Sequence, residues 1–224
     1  MLKKDLGLLI LIVVVGAIVA LINPRFLSTI NIANTANLVG LFGIFAIGQG
    51  FVIITGGIEL SVGSMIAILG VIFIDLIANK GVPWPLAALI VIFIALLLGL
   101  VHGLLITRLR LQPFVVTLCG LLIYRGVARF YTADGTAGFP FGVNFPELEW
   151  LTTGRTDIVA LLTGGAVHTI LIPHSFFVMV VIAAIMWVVL NRSVFGRYLF
   201  AVGKNEEAAR YSGIRTTQVI IAAY

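Results

Sequence analysis

Long apolar runs separated by short polar links make up most of the chain. They cover Leu6–Ile22, about Leu38–Thr55, Ser61–Ala78, Leu86–Thr107, Phe114–Phe130, and a stretch from near Pro173 through Phe176–Leu190. Each approaches the roughly 20 residues a helix needs to cross about 30 Å of hydrocarbon. None alternates apolar and polar residues, which excludes a transmembrane barrel. Thr216–Tyr224 begins one more apolar run. The pattern predicts an all-α, polytopic transmembrane helical bundle of about six full spans plus the start of a seventh, forming one membrane domain over residues 1–224.

The links carry the punctuation. Lys3 and Lys4 before the first run resemble the start of a signal peptide, but no A-x-A cleavage site follows, so an uncleaved span is expected. Asn23-Pro24 ends that helix, because proline cannot donate to the ladder and disfavours helix in the residue before it. Residues 131–157 are polar and rich in Gly and Pro, and Ile158–Ile172 is short and broken by Gly164-Gly165. Residues 131–172 are therefore expected to be extracytoplasmic, with Ile158–Ile172 re-entrant or peripheral. Asn191–Arg215 is a polar, basic link.

Composition and charge sharpen this picture. Of 224 residues, 61% are hydrophobic and 10% charged, against about 25% charged in a soluble domain. A chain this short could not bury so much apolar surface in water. The net charge of +5 comes without a basic patch interleaved with aromatics, so nucleic acid is not an expected partner. It sorts instead by side. With a cytoplasmic N-terminus, nine of the 14 Lys and Arg residues fall in inner links, from Lys3 and Lys4 to Arg210 and Arg215. If Ile158–Ile172 crossed, the basic link after it would face outward. Cys119 is the only cysteine, and His102, His168 and His174 have no ligand spacing, so no metal is expected.

Three segments carry candidate chemistry. In Asn205–Ile214, Asn205 can cap a two-turn helix whose first turn holds Glu206 and Glu207, where carboxylates complement the dipole. Ala208 and Ala209 favour helix, and Gly213 suits a left-handed stop. So short a helix is marginal alone, which predicts either that it docks or that the segment is an ordinary solvated link. In Gly56-Gly57-Ile58-Glu59-Leu60-Ser61, the glycines break the apolar pattern and Ser61 can cap the third span. Glu59 there is either solvated in a cytoplasmic turn or part of a hinge contacting a translocation path; Gln49 and Thr117, polar residues inside the second and fifth spans, are further candidates for that path. At the outer end of the fifth span, Arg125 and Arg129 share a helix face. They either snorkel to headgroups beside Tyr131 or serve as an outer gate or a contact for the acidic residues of a docked protein. Asp75 and the acidic loop residues Asp134, Glu147, Glu149 and Asp157 are candidate partners.

The motifs resemble a known family. Glu207-Ala208-Ala209-Arg210-Tyr211-Ser212-Gly213 is similar to the E-A-A-x-x-x-G loop of bacterial ABC importer permeases. Gly56-Gly57-Ile58-Glu59-Leu60-Ser61-Val62-Gly63-Ser64 resembles the G-G-I-D-L-S-V-G-S motif of the monosaccharide permeases (ribose, xylose, arabinose, galactose and autoinducer-2 type), with Glu59 where Asp is usual. Asn23-Pro24-Arg25-Phe26, Thr117-Leu118 with Tyr124-Arg125-Gly126, and Phe195-Gly196-Arg197-Tyr198 with Ala201-Val202-Gly203 also resemble that family.

The resemblance implies a permease subunit of the bacterial inner membrane, moving a monosaccharide. It implies a coupling helix at 206–213 within the cytoplasmic loop 191–215. It also implies three partners: an ABC ATPase subunit that binds ATP, a periplasmic sugar-binding protein, and a second permease copy. This chain would bind no cofactor of its own. It has no P-loop and no catalytic set, so it is not expected to be an enzyme. Two alternatives stand beside this reading: an ion-coupled secondary transporter, and a C-terminally shortened, non-transporting fragment, since the family suggests roughly ten spans.

Overall fold

A computed structural model describes residues 2–139, 145–157 and 171–224, with side chains from residue 6 onward. Among these, ten α-helices, a 3₁₀ turn and a two-stranded sheet account for nearly all regular structure. The chain divides into two compact units, residues 1–43 with 149–181, and residues 44–148 with 182–224.

The first unit opens with α1 (Leu2–Ile22), apolar on every side and exposed along its length from Leu6 on, as suits a helix solvated by lipid. Asn23 ends it: its Oδ1 accepts from the amide of Arg25 at 3.1 Å and caps the 3₁₀ turn Pro24–Leu27. The second helix, α2, runs Thr29–Ile54, starting nine residues earlier than its apolar pattern predicts. Its polar first turns are used for packing. Asn37 accepts from the Ser175 hydroxyl at 2.6 Å, Asn34 accepts from Arg155 at 2.9 Å, and Ala33 is fully buried. Gly40 lies against the Ser175–Phe176 backbone so closely that a β-carbon there would sit 2.6 Å from the Phe176 nitrogen. Strands β1 (Arg155–Asp157) and β2 (Leu171–Pro173) pair antiparallel, Thr156 opposite Ile172. Residues 158–170, including His168 and Gly164-Gly165, lie outside the described residues.

The second unit holds the end of α2 together with α3 (Val62–Ala78), α4 (Trp84–Thr107), α5 (Pro113–Tyr131) and the start of α6 (Pro146–Thr153). It continues with the end of α7 (His174–Arg192), then α8 (Val194–Lys204), α9 (Glu206–Tyr211) and α10 (Thr216–Ala223). Prolines 85 and 113 open α4 and α5 at positions where an amide would be unpaired in any case. Helix α3 packs on α4 and α5, and α10 packs on α4 and α8. Leu199, Val202, Ala209 and Val219 form the buried cluster, with Phe51, Ile54 and Leu190 against it.

Four helices, α2, α4, α5 and α7, are long and apolar enough to cross a membrane; Leu6–Ile22 and α3 are shorter apolar helices. The described residues are thus predominantly helical, and the chain is membrane-embedded. The link 191–215 is not simply polar. It contains α8, whose Phe195, Leu199 and Val202 repeat at helical spacing and turn inward.

Candidate functional site

The break between α2 and α3 holds an elaborate polar network. Gly56, at φ +80°, closes α2 in the left-handed region, and the Gly57 amide returns to the Val52 carbonyl at 3.1 Å. The following backbone is not helical, and its carbonyls are met by side chains. Gln49 Nε2 donates to the Glu59 carbonyl at 2.8 Å, and the Tyr224 hydroxyl donates to that of Ile58 at 3.2 Å. The Thr117 hydroxyl lies 3.3 Å from the same Ile58 oxygen but 2.9 Å from Pro113 O, so its single proton favours its own helix. Irregular backbone buried within a membrane protein persists only where its polar groups are satisfied in this way.

The Glu59 carboxyl is the hub. Its Oε1 accepts from both the amide and the hydroxyl of Ser61 at 2.6 Å, and its Oε2 lies 3.0 Å from His102 Nδ1. The other imidazole nitrogen is 2.8 Å from the Tyr124 hydroxyl. The side chains of His102 and Glu59 are only 3% and 8% exposed. A β-carbon at Gly120 would stand 2.7 Å from His102 Nε2, so glycine there lets the ring lie against α5. His102 is five residues before the end of α4, which places the hub about 7 Å inside that end at 1.5 Å per residue.

Two expectations are corrected. Glu59 is not solvated in a turn, because a buried imidazole and Ser61 supply enough donors to hold a carboxyl out of water. Ser61, although at the N-cap of α3, makes no side-chain cap; its hydroxyl is taken by Glu59. His102 proves an interior histidine with both nitrogens bonded. So does His174, between the Trp150 carbonyl at 2.5 Å and the Thr156 hydroxyl at 2.8 Å.

The segment 205–213 folds as its residues predict, with α9 slightly shorter than two turns. Asn205 Oδ1 accepts from the Ala208 amide at 3.0 Å, Glu206 and Glu207 occupy the first turn, and Gly213 turns left-handed at φ +84°. Ala209 is buried in the Leu199 cluster, whereas Glu206, Glu207, Ala208 and Arg210 are exposed. The helix is seated by one side chain and presents the rest. A cavity of about 580 Å³ joins this region to the break: Gly56 and Gly57 line it together with Arg110, Glu206, Glu207 and Arg210. The structure therefore brings together two of the three predicted segments. Sequence reading missed α8 as the piece linking them. A β-carbon at Gly203 would overlap the Ile54 carbonyl oxygen, so α8 rests directly on the end of α2.

The Tyr131 end of α5 is different in kind. Arg125 and Arg129 are exposed, and Arg129 Nε donates to Asp134 at 2.5 Å with both side chains about two-thirds exposed. Asp75 is not their partner. It accepts from the Tyr131 hydroxyl at 2.7 Å and from Asn79 at 2.8 Å, with Lys80 at 3.8 Å. Glu147 accepts from Trp84 at 3.0 Å. Among the described residues, no three His, Cys, Asp or Glu side chains converge as a metal site.

Apolar helices with lipid-facing exteriors and an internally satisfied break define an integral, multi-helix membrane protein. The chain belongs to the family described as branched-chain amino acid transport system / permease component, whose profile matches residues 31–224. Its relatives include the ribose import permease protein of Bacillus subtilis strain 168, 36% identical over 219 residues, covering 98% of this chain and 62% of that protein. The ribose import permease protein of Haemophilus influenzae is 32% identical over 216 residues, covering 96% and 62%. The galactose/methyl galactoside import permease protein of Escherichia coli K12 is 29% identical over 236 residues, covering 99% and 66%. The chain thus spans about 62% of the length of the ribose permeases it matches. No solved structure matches it.

Proposed function

We propose that this chain is the membrane-spanning subunit of an ATP-driven importer, passing a monosaccharide through a path it shares with a second permease copy. A binding protein delivers the sugar from outside, and an ATPase subunit docks on the inner face. The observation that carries this reading is α9, a short helix capped at both ends, seated by Ala209 and exposing Glu206, Glu207 and Ala208. Such a knob, rigidly framed by α8 and α10, suits transmission of force from a partner. The family description names amino acids, but the relatives named above are sugar permeases, and sugar is the substrate class proposed.

In this reading the N-terminus is cytoplasmic, in the inner membrane. Leu6–Ile22 and α3 complete six spans, α10 begins a seventh, and 158–172 stays on the outer side. ATP is bound by the partner subunit. Gln49, Gly56, Gly57, Glu59, Ser61 and Thr117 form the hinge beside the path, while Arg125 and Arg129 meet the binding protein. An Ala208→Arg variant should still reach the membrane but lose co-purification of the ATPase subunit and ATP-dependent uptake. Retained association would overturn the docking role of α9.

One observation favours a second reading, ion-coupled transport: His102 pairs with the buried carboxyl of Glu59, and ionisable groups inside membranes often serve proton transfer. Uptake that survives loss of the ATPase but collapses with the proton gradient would establish it.

A further inference from the structure

The non-helical stretch Ile58–Ser61 is held by four helices or their ends. Gln49 of α2 holds the Glu59 carbonyl, Tyr224 after α10 holds that of Ile58, and the Glu59 carboxyl reaches His102 of α4 and through it Tyr124 of α5. Immediately before it, Gly56 has nothing within 4 Å of where a β-carbon would be and adopts a left-handed backbone, whereas Gly57 is crowded by Tyr224 and Val52. The backbone thus turns left-handed at Gly56, with the amides of Gly56 and Gly57 bonded back to α2, and is held by side chains over the next few residues. On the near side of that joint, α8 abuts the Ile54 carbonyl through Gly203, and only Asn205 separates α8 from α9.

We infer that the Glu59–His102–Tyr124 chain is a grip through which displacement of the 194–213 segment, delivered across the Gly56 joint, moves α4 and α5 together with α3. Glu59 is a positioning residue in this scheme: it need not touch the solute. A carboxylate suits the task because it accepts two bonds from Ser61 on one oxygen and one from His102 on the other, fixing the first turn of α3 to α4. A neutral amide offers one acceptor oxygen for Ser61 and can meet His102 only by donating from its nitrogen, which reverses the tautomer of the ring and the direction of its bond to Tyr124. Tyr124 completes the chain by engaging the second imidazole nitrogen, so the ring cannot swing without breaking a buried hydrogen bond.

The inference rests on the proposed importer function, and its test separates the two. Vesicles carrying the transporter with its ATPase subunit and binding protein are given radiolabelled ribose and ATP, and both uptake and hydrolysis are measured. For Glu59→Gln, sugar moved per ATP hydrolysed should fall about tenfold, the scale of a lost coupling contact. Tyr124→Phe should lower the same ratio by a few fold. A purely structural role would reduce the amount of assembled transporter, lowering both rates together and leaving the ratio intact; that result overturns the inference. Should Glu59→Gln fail to reach the membrane, Tyr124→Phe decides, and an unchanged ratio there overturns the inference. Failure of the importer reading appears earlier, as absence of ATP-dependent uptake in the unaltered protein, and it removes the inference with it.

Discussion

Two of the acid–base contacts among the described residues lie in opposite surroundings. His102 and Glu59 meet at 3.0 Å with side chains under a tenth exposed, whereas Arg129 and Asp134 meet at 2.5 Å with both about two-thirds exposed. The shorter contact is the weaker element of structure. In water the charges of an exposed pair are screened and their side chains lose entropy by staying together. The buried pair cannot exchange its partners for water, so removing either half strands the other. Distance alone would rank these contacts wrongly; burial and the number of dependent groups rank them correctly.

The sharpest way to break the comparison is Glu59→Ala. It leaves the Ser61 amide and hydroxyl without their acceptor and His102 Nδ1 without its partner, among side chains under a tenth exposed, and should cost about 3–5 kcal/mol. Thermal unfolding in detergent, followed by intrinsic fluorescence, should show a large drop in midpoint. A shift no larger than that of an exposed substitution would mean that water reaches the hub.

Glycine substitutions on one helix sharpen the same contrast. Gly120→Ala would put a β-carbon 2.7 Å from His102 Nε2 and push the ring out of line, destabilising by about 1–3 kcal/mol. Gly126→Ala, six residues further along α5, meets nothing within 4 Å and should be neutral or stabilising by up to about 1 kcal/mol, from helix propensity. Equal melting shifts for the two would deny the hub its tight packing. Tyr124→Phe lies below Gly120→Ala in effect: it keeps the ring volume but leaves one imidazole nitrogen unpaired, at a cost of about 1–2 kcal/mol.

How much of this was legible in the sequence follows from the range of the forces involved. Local signals were read well. The Asn205 cap, the acidic first turn and the Gly213 stop depend on residues within a turn or two, and all three stand as their chemistry predicts. Apolar runs located the long helices. The start of α2 was misjudged because Asn34 and Asn37 look like loop residues until Arg155 and Ser175, more than a hundred positions away, are brought beside them. Glu59 was left between a solvated turn and a hinge for the same reason. Nothing within ten residues reveals that His102 will stand against it, and a carboxylate without a known partner is more economically placed in water. The helix α8 was legible at the spacing of Phe195, Leu199 and Val202, but its basic residues outweighed that short stripe. Gly120 and Gly203 show their purpose only once the opposing atoms are present.

The smallest expected effect completes the comparison from the exposed side. Arg129→Ala removes the guanidinium from Asp134 but leaves both the carboxylate and the helix end open to solvent, with Asp134 at φ +62° in a turn whose amide is already bonded to the Arg129 carbonyl. The turn is held by backbone, so the ion pair adds little to it. The melting midpoint should be indistinguishable from that of the unaltered protein, and raising ionic strength should not change that equality, because screening has nothing further to remove. A clear loss of stability that disappears at high salt would show that Arg129 interacts with more acidic groups than Asp134 alone. If the midpoint stays fixed while affinity for the binding protein falls, Arg129 serves the partner rather than the fold, which is the role proposed for it.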